Sequence, residues 1–80
     1  MNRNELPQRT MHSLRRYADQ RIPTGDFLYA VLTNNLMEAI GRADDENLEA
    51  IYGICMYVYN DIPATCHGSK EIVDEWLRGK

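Results

Sequence analysis

The chain has 80 residues, 44% of them hydrophobic, and carries nine Lys and Arg against twelve Asp and Glu for a formal net charge of -3. A chain this short forms one domain and buries only about 60% of the surface its unfolded form exposes, while two cysteines, Cys55 and Cys66, are too few for the disulfide framework of a small secreted domain. The charge argues against a generic grip on nucleic acid, no apolar run approaches the roughly 20 residues of a membrane span, and Asn2, Arg3, Asn4 and Glu5 form no signal-peptide core, so the expectation is a soluble protein of the cytoplasm.

Helical spacing throughout predicts a single all-α domain over residues 1–80, a small bundle of three to four helices with a central antiparallel helix hairpin. No strand pattern, internal repeat or low-complexity segment interrupts it. The first helix spans Pro7 to Gln20, with Met11, Leu14, Tyr17 and Ala18 on one face and Arg15, Arg16 and Asp19 on the other. Pro23 and Gly25 then break the chain, Thr24 is placed to cap the next helix, and Asp26 puts a carboxylate where the helix dipole favours it. That second helix reads as continuous to Arg42, and Leu28, Leu32, Leu36, Ala39 and Ala43 form a stripe at three- and four-residue steps that is expected to be core, flanked by Tyr29 and Ile40.

A third helix starts at the Asp44-Asp45 cap and ends near Asn60, ahead of Ile62-Pro63. Leu48, Ile51, Ile54, Cys55 and Val58 face one way, and Tyr52, Met56, Tyr57 and Tyr59 carry apolar surface round most of the circumference, leaving a polar strip through Glu46, Glu49, Gly53 and Asn60. So apolar a helix in so small a chain points to a homo-oligomer interface or a ligand pocket. Pro63 to Gly68 is a loop, and Ser69 caps a last helix whose Ile72, Val73, Trp76 and Leu77 pack back on the hairpin.

Charge is unevenly distributed, with Arg3, Arg9, Arg15, Arg16 and Arg21 in the first quarter and Asp44, Asp45, Glu46 and Glu49 at mid-chain. The basic segment could meet an acidic surface or an anionic ligand, or be a solvated helix face. On the second helix Asn34, Asn35, Glu38 and Arg42 share a flank with Phe27 and Val31, which is either a polar binding surface or an i,i+4 ion pair on a wet face. Adjacent asparagines favour the former, since Asn suits a helix interior poorly unless its side chain has a partner. Guanidinium groups bind phosphate or carboxylate in two-pronged fashion and aromatic rings stack on planar ligands, so Asn34, Asn35, Arg42, Arg16, Tyr59 and Trp76 form the candidate ligand-binding set. Tyr52, Tyr57, Tyr59 and Trp76 suit a helix interface equally well. Cys66-His67, with only His12 and Cys55 to add, lacks the spacing of a structural zinc site, and neighbouring loop side chains diverge too far for a Cys-His catalytic pair. No catalytic residue, metal or cofactor is expected.

The run Ile22-Pro-x-Gly-x-Phe-Leu-x-Ala-Val-Leu-x-Asn-Asn-Leu, followed by Arg42-Ala-Asp, Tyr57-Val-Tyr-Asn, Pro63, Cys66-x-Gly-Ser and Trp76, resembles small accessory proteins encoded by phages and prophages. The resemblance covers most of residues 12 to 77 and brings no catalytic residues with it. It implies a non-enzymatic counter-defence protein in the host-cell cytoplasm. Such a protein sequesters a small nucleotide-type signal in sites between protomers, or alternatively caps a host protein.

Overall fold

Pro7, with φ at -58°, leads into α1 (Gln8–Gln20) in the computed structural model, which describes residues 6–79. Arg3 of the basic segment, with Asn2, Asn4 and Glu5, lies outside those residues. Then follow α2 (Asp26–Leu32), α3 (Leu36–Arg42), α4 (Asp45–Glu49), α5 (Ile51–Asp61), a short 3₁₀ turn (Ala64–Cys66) and α6 (Lys70–Leu77), with no strand among the described residues. The all-α class stands. The count of three to four helices does not, because both long helices of the expected hairpin are interrupted.

The first interruption falls at Thr33-Asn34-Asn35. Asn34 sits in the left-handed region at φ 66°, its amide donates to the Val31 carbonyl at 3.1 Å, and the Asn35 amide donates to the Ala30 carbonyl at 2.8 Å. This pair of bonds is the Schellman termination, with Asn standing where Gly is usual because its short polar side chain tolerates positive φ. Thr33 reinforces the stop by donating its hydroxyl to the Tyr29 carbonyl at 2.8 Å. Asn35 then caps α3, its Oδ1 accepting from the Glu38 amide at 3.4 Å. The two asparagines are therefore a corner and not part of a helix interior.

Beyond Leu32 the corner overturns the expected core stripe at Leu36, while Ala39 of that stripe is buried as expected and Ala43 is half-buried. Leu32 is buried, but Leu36 and Ile40 are exposed, and Ala39 is the buried position of α3. Each helix restarts with its own angular phase, so a stripe drawn through the turn loses its face. The second interruption, at Ala50, acts likewise: α5 buries Gly53, Ile54, Tyr57 and Val58, while Leu48, Tyr52, Met56 and Tyr59 are exposed. Gly53 thus belongs to the inward face and not to a polar strip. Capping differs at one end as well. Gly25, extended at ψ -179°, is the N-cap of α2 without a side-chain bond, and Thr24, one residue too early to reach the first-turn amides, donates to the Gly25 carbonyl at 3.2 Å. Asp44 and Ser69 do cap α4 and α6, accepting from the amides of Asn47 at 2.8 Å and Ile72 at 3.2 Å.

The core gathers Leu14 and Tyr17 of α1, Leu28 and Leu32 of α2, Ile54, Tyr57 and Val58 of α5, then Ile62, Cys66 and Val73, with Met11, Phe27, Trp76 and Leu77 packed against it. Polar links pin distant segments around this centre. The buried Tyr17 hydroxyl donates to the Cys66 carbonyl at 2.6 Å, and the Trp76 indole N–H donates to the Tyr17 carbonyl at 2.8 Å. Buried Thr10 donates to Asn47 Oδ1 at 2.6 Å and ties α1 to α4. Arg15 Nη1 donates to the hydroxyl of Tyr57 at 3.1 Å, which satisfies the polar end of an otherwise buried ring.

Two outcomes in urea denaturation test this architecture. Leu32→Ala should cost about 2–5 kcal/mol, as buried leucines do, whereas Leu36→Ala should stay within about 0.5 kcal/mol. Tyr17→Phe should cost about 1–3 kcal/mol, because the shape is preserved while the buried Cys66 carbonyl loses its donor.

Candidate functional site

The six candidate ligand residues fall in four places on one copy of the chain. Asn35 and Arg42 line a polar groove of about 410 Å³ between α2, α3 and the start of α6, together with Asp26, Tyr29, Thr33, Glu38 and Lys70. Asn34 and Tyr59 line a separate, mostly apolar groove of about 450 Å³, where the end of α2 meets α5 and the loop at His67 and Gly68. Arg16 lies with His12, Arg15, Asp19 and Gln20 in a recess of about 320 Å³ on the outer side of α1. Trp76 lines none of these grooves. Its N–H is committed to the Tyr17 carbonyl, and the Arg21 guanidinium lies 3.9 Å from its ring centroid.

The polar groove is built by the corner. By ending α2 and starting α3, Asn34 and Asn35 turn the Glu38 and Arg42 side chains back over Asp26 at the N-terminus of α2. Arg42 pairs with Glu38 one turn earlier in α3 and reaches Asp26 at 3.4 Å. The hydrogen bond to Glu38, with its charge and that of Asp26, raises the Arg42 pKa, so the guanidinium is a permanent cation. Across the groove, Lys70 donates to Asp74 at 2.8 Å and Tyr29 donates to the other carboxylate oxygen at 2.8 Å. Those two bonds, Lys70 first, hold the Asp74 carboxyl below its usual range. Both cations of the groove therefore have carboxylate partners, and the exposed pairs among them contribute only modestly to stability.

The second groove has a different chemistry. Val31, Leu32, Met56 and Val58 give it apolar walls, Cys55 adds a half-buried thiol, and His67 is engaged through Nε2 with the Ile62 carbonyl at 3.1 Å. Burial pushes the Cys55 thiol up, which keeps it protonated and a weak nucleophile at neutral pH. Cys66 is fully buried as a small core residue, its thiol likewise raised by burial. The most shifted group of all, the Tyr17 phenol, is raised chiefly by desolvation, as expected of a core hydrogen-bond donor. Tyr17, Cys55 and Cys66 thus owe their shifts to burial in packing contacts, whereas the shifted Arg42, Lys70, Tyr29 and Asp74 gather about the polar groove, where their ion pairs and hydrogen bonds to one another and to Glu38 and Asp26 account for the shifts. Among the described residues no group of three or more His, Cys, Asp or Glu is placed to hold a metal ion, and no helix is long and apolar enough to cross a membrane.

What residue-by-residue reading missed is a surface and not a pocket. Leu36, Met37 and Ile40 emerge from α3 into solvent, and Lys70, far off in sequence, joins the Arg42 groove. The signal for the first was present in Thr33-Asn34-Asn35, three residues that each favour turns and caps over helix interiors. Nothing local announces the second. Comparison of the chain with protein-family models, curated proteins and solved structures finds no match.

The Tyr29–Asp74–Lys70 link makes a pH prediction. With the folded Asp74 pKa below its unfolded value of about 3.9, its contribution is complete above that value and is lost as pH falls through the folded value. Asp74→Asn should therefore lower stability at neutral pH and flatten the acid-side decline, read as urea midpoints between roughly pH 2 and 6.

Proposed function

We propose that this chain is a non-enzymatic binding protein whose docking element is α3, and that its partner is a protein. In the phage setting that the sequence resemblance implies, the partner is a host protein, which the chain caps. One observation carries this reading: Leu36, Met37 and Ile40 are 52%, 83% and 43% exposed on a helix of only seven residues. Three large apolar side chains within five positions make a concentrated patch of the kind that marks interaction surfaces. Positions i, i+1 and i+4 form a single edge of the helix, which suits insertion into a partner's apolar groove.

The surrounding chemistry supports a rigid presentation. Asn35 caps the first turn of α3, buried Ala39 seats it on the domain, and Arg42 anchors the last turn to Asp26. A docking helix held this way loses little conformational entropy on binding. Immobilised native chain should retain from host-cell lysate proteins that chains carrying Met37→Glu or Leu36→Glu do not, while stability changes by no more than about 0.5 kcal/mol. Retention unchanged by both substitutions would overturn the reading.

A second reading is sequestration of a small nucleotide-type anion between protomers, and a specific observation favours it. Arg42, Lys70 and Asn35 line one groove, so two cations and an amide are already gathered there. An anion would displace Glu38 and Asp26 from Arg42, and aromatic stacking would have to come from another copy, since Tyr59 and Trp76 lie elsewhere. On this reading a nucleotide raises the melting temperature of the native chain and leaves that of Arg42→Ala unchanged. Absence of any shift across a nucleotide panel leaves protein capping as the function.

A further inference from the structure

We propose that the outward face of α5 is covered by a second copy of this chain, in an antiparallel, two-fold pairing centred near Cys55 and Met56. This inference uses a face other than α3 and stands or falls separately from the capping function. From Ala50 to Asn60 the chain contains no Asp, Glu, Lys, Arg or His. Within that uncharged run Tyr52 is 66% and Tyr59 77% exposed, and Met56, between them, is 38% exposed. Spacings of four and three residues keep Tyr52, Met56 and Tyr59 on one side of α5.

The size of the face fits a copy of the same chain. Taking roughly 200 Å² for a fully exposed large side chain, the three residues present roughly 360 Å² at their observed exposures. Interfaces are about 57% apolar, so a face built around that area extends to about 630 Å², within the roughly 600–1,000 Å² that one partner contributes to an interface of standard size. Charge adds no obstacle, because nothing between Ala50 and Asn60 would set like charges against each other across the pairing.

Shape supplies the orientation. The apolar groove between α5 and the end of α2 runs beside the second half of α5, from Cys55 to Tyr59, with Val31 and Asn34 on its far wall. The free-standing ring on the first half is Tyr52. A projection on one half and a groove on the other, about 10 Å apart at 1.5 Å per residue, are what a two-fold pairing requires: Tyr52 of each copy enters the groove of the other, and the contact is made twice. Parallel pairing would set Tyr52 against Tyr52 and leave both grooves open. Tyrosine suits the role, since its ring fills an apolar groove while its hydroxyl stays at the wet rim, near the Asn34 amide.

The test is sedimentation equilibrium of the full chain at micromolar concentration, with Tyr52→Glu as the interface variant and Met37→Glu as the control. Native chain and control should sediment as dimers and Tyr52→Glu as a monomer that still folds, because Tyr52 is exposed in the single copy. Orientation is read by disulfide formation in a Cys55→Ser background, mixing chains carrying Tyr52→Cys with chains carrying Tyr59→Cys; the mixed pair should cross-link several-fold more than either variant alone. A monomeric native chain, a dimer indifferent to Tyr52→Glu, or preferential cross-linking of Tyr52→Cys to itself would each overturn the proposal.

Discussion

The arrangement depends on one buried residue, Tyr17. Its hydroxyl donates to the Cys66 carbonyl, and its own carbonyl accepts the Trp76 indole N–H, so a single position in α1 clamps both the 3₁₀ turn and α6. Neither partner can be spared cheaply. A backbone carbonyl and an indole N–H in the interior must each find a bond, and the entropy of holding sequence-distant segments together is offset only because ring burial and bond formation happen at the same place. Arg21, in the left-handed conformation that ends α1, lays its guanidinium over the outer face of Trp76 and completes the clamp. Once α6 is held, Asp74 comes within reach of Tyr29, and α2 is tied in turn.

Small size explains why this domain shows so much apolar surface. The core cluster takes one or a few residues from α1, α2, α5, the 3₁₀ turn and α6 and none from α3 or α4, and short helices can each turn only a narrow face inward. What remains, Leu36, Met37 and Ile40 on α3 and Leu48, Tyr52, Met56 and Tyr59 on α4 and α5, points to water. Their concentration on α3 and along α4 and α5 is the observation that supports the proposed contacts. The polar surface is organised differently: Arg15, Arg42 and Lys70 each have a carboxylate in range, at Asp19, Glu38 and Asp74. Cations satisfied within the chain attract an outside anion less strongly than free ones would. The balance of chemical opportunity therefore lies with apolar contact.

Much of the local structure was legible in the residues. Pro7 before α1, the caps at Asp44 and Ser69, the inward positions Leu14, Tyr17 and Leu32, and the outward positions of Tyr52 and Met56 follow from periodicity and capping chemistry that act over one or two turns. The candidate ligand set was legible only as residue types. Whether Asn35 and Arg42 share a groove with Tyr59 depends on how the helices cross, and a corner at Asn34 sends them apart.

That corner marks the boundary between the two kinds of information. By itself the sequence determined an all-α chain, the starts of α1, α2, α4 and α6, and an α5 too apolar to be a simple surface helix, because propensity, capping and hydrophobic period are properties of neighbouring residues. Only the tertiary structure decided that Thr33-Asn34-Asn35 stops a helix instead of lying within one. The local cost of a left-handed Asn is small, and the bond from the Gly68 amide to the Leu32 carbonyl at 2.7 Å, across 36 positions, holds the end of α2 there. From that choice follow the exposure of Leu36 and the separation of the polar residues into different grooves, neither of which a neighbour-by-neighbour rule can supply, since each is set by contacts between segments distant in the chain.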